Sequence, residues 1–194
     1  ASDNCTRTEN PVSHDYKLVE TDLGDDWSGD YLIVYNNTYA MNTHSGNQNT
    51  NTFATYIDIS DYYNSSDKSI AVNDVTNALV YTAEKTTNGY SLYCNADNSF
   101  LGITANTTDT GSKLRWDTSY STSACDWKLG VGTIQNVGSS TLYIRWNNNS
   151  GSYRFATYKV DGQQAIQLFR LPSTAPKIMS GEIDEFPARS TIGR

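Results

Sequence analysis

The side chains in this chain with the clearest chemical potential are aromatic rings set beside amides and carboxylates. Trp146 is followed by Asn147, Asn148 and Asn149, Trp116 by Asp117, and Tyr62 by Tyr63; Trp27 with Asp30 is a weaker instance. A ring face covers the C–H face of a pyranose while amides and carboxylates take its hydroxyls, so these neighbours fit sugar recognition with no cofactor. Fourteen Tyr and four Trp in 194 residues exceed what a core of this size must contain. The same spacing carries a packing alternative. Trp116 shares strand parity with Leu114, and Trp146 with Leu142 and Ile144, so both indoles could turn inward.

Bond-making chemistry finds less support. His14 and His44 sit in polar, turn-like surroundings, and neither lies beside a candidate nucleophile in sequence. The carboxylates Asp58 and Asp61, and Glu182 with Asp184 and Glu185, lie in hydrophilic stretches rather than the apolar pocket that a glycosidase acid requires. Asp22, Asp25 and Asp26 lack the alternating spacing and distal Glu of a calcium loop. Expected, then, is a non-catalytic module without metal or cofactor. Three cysteines are present, and Cys125 takes the place that Leu79 and Ile166 take elsewhere, as a small buried group would. That leaves Cys5 with Cys94 as the expected disulfide, with Cys94 to Cys125 as the alternative.

The elements that must position these residues are short strands. Phe-Ala-Thr-Tyr occurs at Phe53 to Tyr56 and again at Phe155 to Tyr158. Each copy follows an apolar run and precedes another run opening with Ala, at Ala78 and Ala165; a third unit fits between, from Gly89 to Leu129. In each unit an aromatic or aliphatic residue follows the Ala by three: Tyr81, Trp127 and Leu168. Leu101 with Ile103, and Leu142 with Ile144, are expected core pairs by period-two alternation. Three diverged four-strand units predict an all-β, β-trefoil-like fold, with a β-sandwich as the alternative. Residues 61–76 lengthen the first unit. The expected organisation is an N-terminal arm over 1–26, with a short strand at Tyr16 to Val19, a trefoil-like domain over 27–171 and a C-terminal tail or linker over 172–194.

The strand, polar turn, Leu-x-Ile and late aromatic strand together resemble the trefoil pattern of ricin-type lectins. No unit has an intact Gln-x-Trp, although Asp126-Trp127 comes near it, so the resemblance implies a lectin-like fold more than a galactose site. Tyr31 to Tyr35, Tyr143 to Asn147, Arg154 to Lys159 and Ala165 to Leu171 also resemble accessory β-rich domains of secreted and surface proteins of gut-type bacteria. That likeness implies location more than activity.

Composition agrees with an extracellular setting. Only 18% of residues are charged, and a net charge of −7 without a basic cluster would repel a phosphate backbone, so no nucleic-acid partner is expected. No apolar run approaches the roughly 20 residues that span a bilayer. Asn-x-Ser/Thr sequons begin at Asn4, Asn36, Asn64, Asn106 and Asn148. The expected function is a secreted or cell-surface module that binds carbohydrate or glycoprotein, or accompanies domains that do. The alternative is a structural or assembly subunit that self-associates through residues 173–194, where Ile183 and Phe186 would be wasted on a mere linker.

Overall fold

A computed structural model describes residues 14–104 and 107–171. Among the described residues the first strand is the expected short one, β1 (Tyr16–Leu18). The first unit runs through β2 (Gly29–Tyr35), β3 (Tyr39–His44) and β4 (Ala54–Asp58). Its insertion carries the hairpin β5 (Tyr63–Asn64) and β6 (Ser69–Ile70) and the one-turn helix α1 (Asp74–Asn77), before β7 (Tyr81–Lys85) closes the unit. The second unit is β8 (Tyr90–Cys94), β9 (Ser99–Ile103), β10 (Leu114–Asp117), the turn α2 (Thr122–Cys125) and β11 (Trp127–Gly130). The third is β12 (Thr133–Asn136), β13 (Tyr143–Asn147), β14 (Arg154–Tyr158) and β15 (Gln167–Leu171).

The pairing makes the threefold plan explicit. First and fourth strands form the barrel wall, with β15 beside β2, β2 beside β7, β7 beside β8, β8 beside β11 and β11 beside β12. Second and third strands form three hairpins, β3 with β4, β9 with β10 and β13 with β14. A ring of bridges joins these hairpins into a cap: Thr52 to Leu114, Gly111 to Thr157 and Phe155 to Ala54. This barrel and cap is a β-trefoil-like fold rather than a sandwich. The repeated Phe-Ala-Thr-Tyr marks the third strand of two units, but the copies run out of phase. Phe155 is fully buried, whereas Phe53 is half-buried beneath the Arg154 guanidinium, 4.6 Å from its ring centre.

The apolar run Tyr31 to Val34 is continuous because both faces of β2 are covered. Ile33 points into the barrel cluster with Leu92, Trp127 and Leu168. Leu32 and Val34 point outward into a second cluster, where Tyr16, Ile59, Ile70 and Phe169 meet them. The insertion and β1 thus roof one side of the barrel, with β1 paired to both β15 and β6. Asn36 and Asn37, both at positive φ (48° and 55°), make the turn that returns β2 to β3, a conformation Asn tolerates better than most residues. Leu101, Ile103, Leu142 and Ile144 are all fully buried, as their alternation predicts.

Candidate functional site

Both tryptophans with polar neighbours are core residues, which corrects their expected role as exposed stacking rings. Trp146 is 0% exposed: Tyr35 and Tyr39 lie nearly parallel to it at 5.2 Å, and Phe155 and Tyr56 meet it edge-on. Its Nε1 donates to Asn148 Oδ1 at 3.2 Å. Asn147 is buried with it, donating from Nδ2 to the Tyr158 hydroxyl at 3.0 Å and accepting from the Asn149 amide at 2.9 Å. The most exposed of the rings around Trp146 is Tyr153, at 41%, and Asn148 is also exposed. Trp116 is likewise 0% exposed, and its Nε1 donates to the Tyr81 hydroxyl at 3.1 Å. Tyr62 and Tyr63 pack half-buried against the outer cluster, Tyr63 edge-on to Phe169 at 6.1 Å, so neither is a free platform. For the two tryptophans the physical reason is the strand position: a large aromatic ring on the inward row removes much apolar surface from water, and packing claims it. Tyr62, at the end of a 3-10 turn, and Tyr63 are instead taken up in part by the insertion packing on the outside of the barrel.

Asp117 has a different fate. Along the hairpin β9 and β10, Leu101, Ile103, Leu114 and Trp116 face the core. By alternation Phe100, Gly102, Arg115 and Asp117 form the outward row, with Gly102 paired to Arg115 and Phe100 to Asp117. Arg115 Nη2 donates to Asp117 Oδ1 at 2.8 Å, and the two side chains are 33% and 14% exposed. The Nε of Arg115 is buried and has no acceptor. Gly102 is buried in this row and lets α2 and the Asp117 carboxylate come close to the sheet: a Cβ there would stand 3.0 Å from Cys125 Sγ, 3.1 Å from Asp117 Oδ2 and 3.2 Å from the Ala124 carbonyl oxygen. Next to this row Thr118, Ser119, Ser121 and Ser123, with Asn49, line an open cleft of about 440 Å³. Phe100 of β9 and Tyr120 of the loop after β10 meet edge-to-face at 5.8 Å, Tyr120 being 36% exposed.

The cleft therefore offers a carboxylate, a guanidinium and a set of hydroxyls; Phe100 and Tyr120 lie near it in sequence and pairing but are not among its lining residues. Sequence reading named Asp117 but missed Arg115, Gly102 and the hydroxyl loop. The available signal was a glycine interrupting the apolar run Phe100 to Ile103, together with the Ser/Thr-rich stretch Thr118 to Ser123 that follows the next strand. Beneath the cleft, Cys125 is a free buried thiol, pushed up to about 11 by burial, with the nearby Asp117 charge acting in the same direction. Cys94 is also free and buried, so the alternative pairing of Cys94 with Cys125 is not formed; Cys5 lies outside the described residues.

One further cluster joins His, Asp and Ser. His44 Nε2 lies 3.3 Å from Asp97 Oδ1, while Ser99 Oγ and Gln48 Nε2 both donate to Asp97 Oδ2, at 2.7 and 2.8 Å. The serine hydroxyl is directed to the carboxylate rather than to the imidazole, so this arrangement ties β3 to the β8–β9 turn and does not activate a nucleophile.

No family model matches this sequence, and no curated protein sequence matches it. Among solved structures the chain is similar to the Polyporus squamosus lectin bound to the human-type influenza-binding epitope Neu5Aca2-6Galb1-4GlcNAc, with a TM-score of 0.50 and 11% identity over 74% of this chain and 49% of that one. It is also similar to the lysenin pore, with a TM-score of 0.46 and 8% identity over 82% of this chain and 50% of that one. The chain spans about half the length of each of these structures. At such low identity the first likeness speaks for the fold alone, and it agrees with the all-β, β-trefoil-like architecture that the threefold pairing shows.

Proposed function

We propose that this chain is a non-catalytic, extracellular carbohydrate-binding module whose sugar seats against the outward face of the second unit. The observation that carries the reading is the cleft beside β10. There a carboxylate and a guanidinium stand side by side among the hydroxyls of residues 118–123. A pyranose presents hydroxyls that both donate and accept, and Asp117, Arg115 and the Ser/Thr groups supply the complementary set. A single carboxylate held by a guanidinium suits binding better than hydrolysis, which ordinarily needs two carboxyl groups in contrasting environments. The lectin-like trefoil supports the same reading at the level of scaffold.

The test is a glycan array probed with the wild-type chain, Asp117→Ala and Arg115→Ala. Saturable binding that both variants lose while keeping their thermal transitions is the expected outcome. Binding that survives both substitutions would move the site elsewhere.

A further inference from the structure

We propose a second saccharide site, in a cleft that the threefold repeat does not generate. It measures about 560 Å³ and lies between the segment before β2, the turn joining β7 to β8, and the β11–β12 corner of the barrel. The Asp117 cleft is built on a second-to-third-strand hairpin of the second unit. This one is built on first and fourth strands together with residues 22–27, which have no counterpart in the other units. It is therefore a separate feature and not another copy of the same subsite. The proposal shares its ligand class with the proposed function but not its residues.

The floor is apolar and fixed. Trp27, Tyr90 and Leu129 are nearly buried, at 4%, 8% and 6% exposure, so each shows the cleft only an edge. The Tyr90 hydroxyl accepts from the Trp27 amide at 3.0 Å and donates to the Asp25 carbonyl at 2.9 Å, which clamps the wall segment onto the barrel. Such a wall is preorganised, and a ligand need not order it on binding.

The rim selects the chemistry. Asp22 and Asp25 are matched by Lys85 and Lys128, so the cleft has no excess charge with which to select an ion. Between them Asn88 presents an amide able to donate and accept, and Gln135 one whose Nε2 already donates to the Ser140 carbonyl at 2.7 Å, leaving its second N–H and its Oε1 for a ligand. The Asp25 carboxylate and the Lys128 ammonium are exposed and engaged by no other side chain among the described residues. Balanced charge, paired donors and acceptors and an apolar floor describe an uncharged polyol with a C–H face. A volume of this size accommodates one or two neutral sugar rings.

The test is a 1H–15N titration of the full chain with methyl β-galactoside, methyl β-glucoside, methyl α-mannoside and the N-acetyl form of each, alongside 3′-sialyllactose as the charged probe. The expected result is that at least one neutral glycoside shifts the Trp27 indole N–H and the Asn88 and Gln135 side-chain amides. Asn88→Ala and Asp25→Ala, both at exposed positions, should each weaken that response about tenfold and leave any response at Arg115 unchanged. Shifts confined to Arg115 and its neighbours would overturn the second site while sustaining the first. Shifts confined to the Trp27 cleft would sustain the second site and remove the first. A cleft answering only to 3′-sialyllactose, or to none of the probes, overturns the proposal.

Discussion

Two hairpins of this molecule share a sequence grammar and put it to different use. In β9–β10 and in β13–β14 an inward tryptophan is followed by a small polar residue, Trp116 by Asp117 and Trp146 by Asn147. In the third unit the surroundings are filled. Arg145 donates to the carbonyls of Gly162 and Gln163, Asn147 is bonded at both ends of its amide, and tyrosines close over the indole. In the second unit Gly102 lets Cys125 and the Asp117 carboxylate pack close to the sheet, Arg115 bonds to a side chain instead of the backbone, and a cleft lies along the following loop. A tryptophan beside a polar residue is thus a packing signature in both hairpins. What makes one of them a candidate site is the room around the polar residue.

The comparison breaks first at the tryptophans. Trp116→Ala and Trp146→Ala should each cost about 3–5 kcal/mol of stability, read as a lowered midpoint in urea. Were Trp146→Ala to fold normally and lose only sugar binding, the tyrosine-enclosed core position assigned to it would be wrong. Asn147→Ala comes next, at about 1–3 kcal/mol, because it strands the Tyr158 hydroxyl and the Asn149 amide. Asp117→Ala should show the reverse pattern. Its pair with Arg115 is partly exposed and should contribute less than about 1 kcal/mol to stability, while glycan binding falls tenfold or more. Gly102→Ala sharpens the contrast further. The added methyl must displace Cys125 or the Asp117 carboxylate, so binding by calorimetry should weaken several-fold, with a smaller change in the thermal midpoint.

The smallest expected effect concerns the scaffold that both hairpins share. Burial pushes the Tyr16 and Tyr31 phenols up to about 12 from an ordinary value of 10.0. Both stay neutral in the folded chain where the unfolded chain already ionises. Their contribution is therefore complete below pH 10.0 and is lost as pH rises toward 12. Alkaline unfolding followed by circular dichroism should begin in that window. A flat stability profile across it would contradict the burial assigned to these two hydroxyls.

Much of the scaffold was legible because trefoil strands obey period two and each unit repeats the rule. Leu101, Ile103, Leu142 and Ile144 alternate in the sequence and are all buried in the barrel and cap. The three residues that follow an Ala by three, Tyr81, Trp127 and Leu168, are all buried in the barrel cluster. Register was harder. Two identical tetrapeptides fell out of phase because the bridge from Phe155 to Ala54, and not local propensity, decides which side turns inward. The site was least legible. Ring type predicts affinity for a sugar and for a core equally well, and only the solvent exposure set by neighbours separates them. Arg115 gave no signal because its significance depends on Gly102 lying opposite it, a cross-strand fact that spacing along one strand does not carry.

The most direct measurement is a crystal structure of the chain soaked with the strongest glycan from the array. The account predicts a sugar hydroxyl bonded to Asp117 and Arg115, with the loop of residues 118–123 against the ring. A glycan seated instead over Tyr153 and the rings around Trp146, with the Asp117 cleft empty, would contradict it.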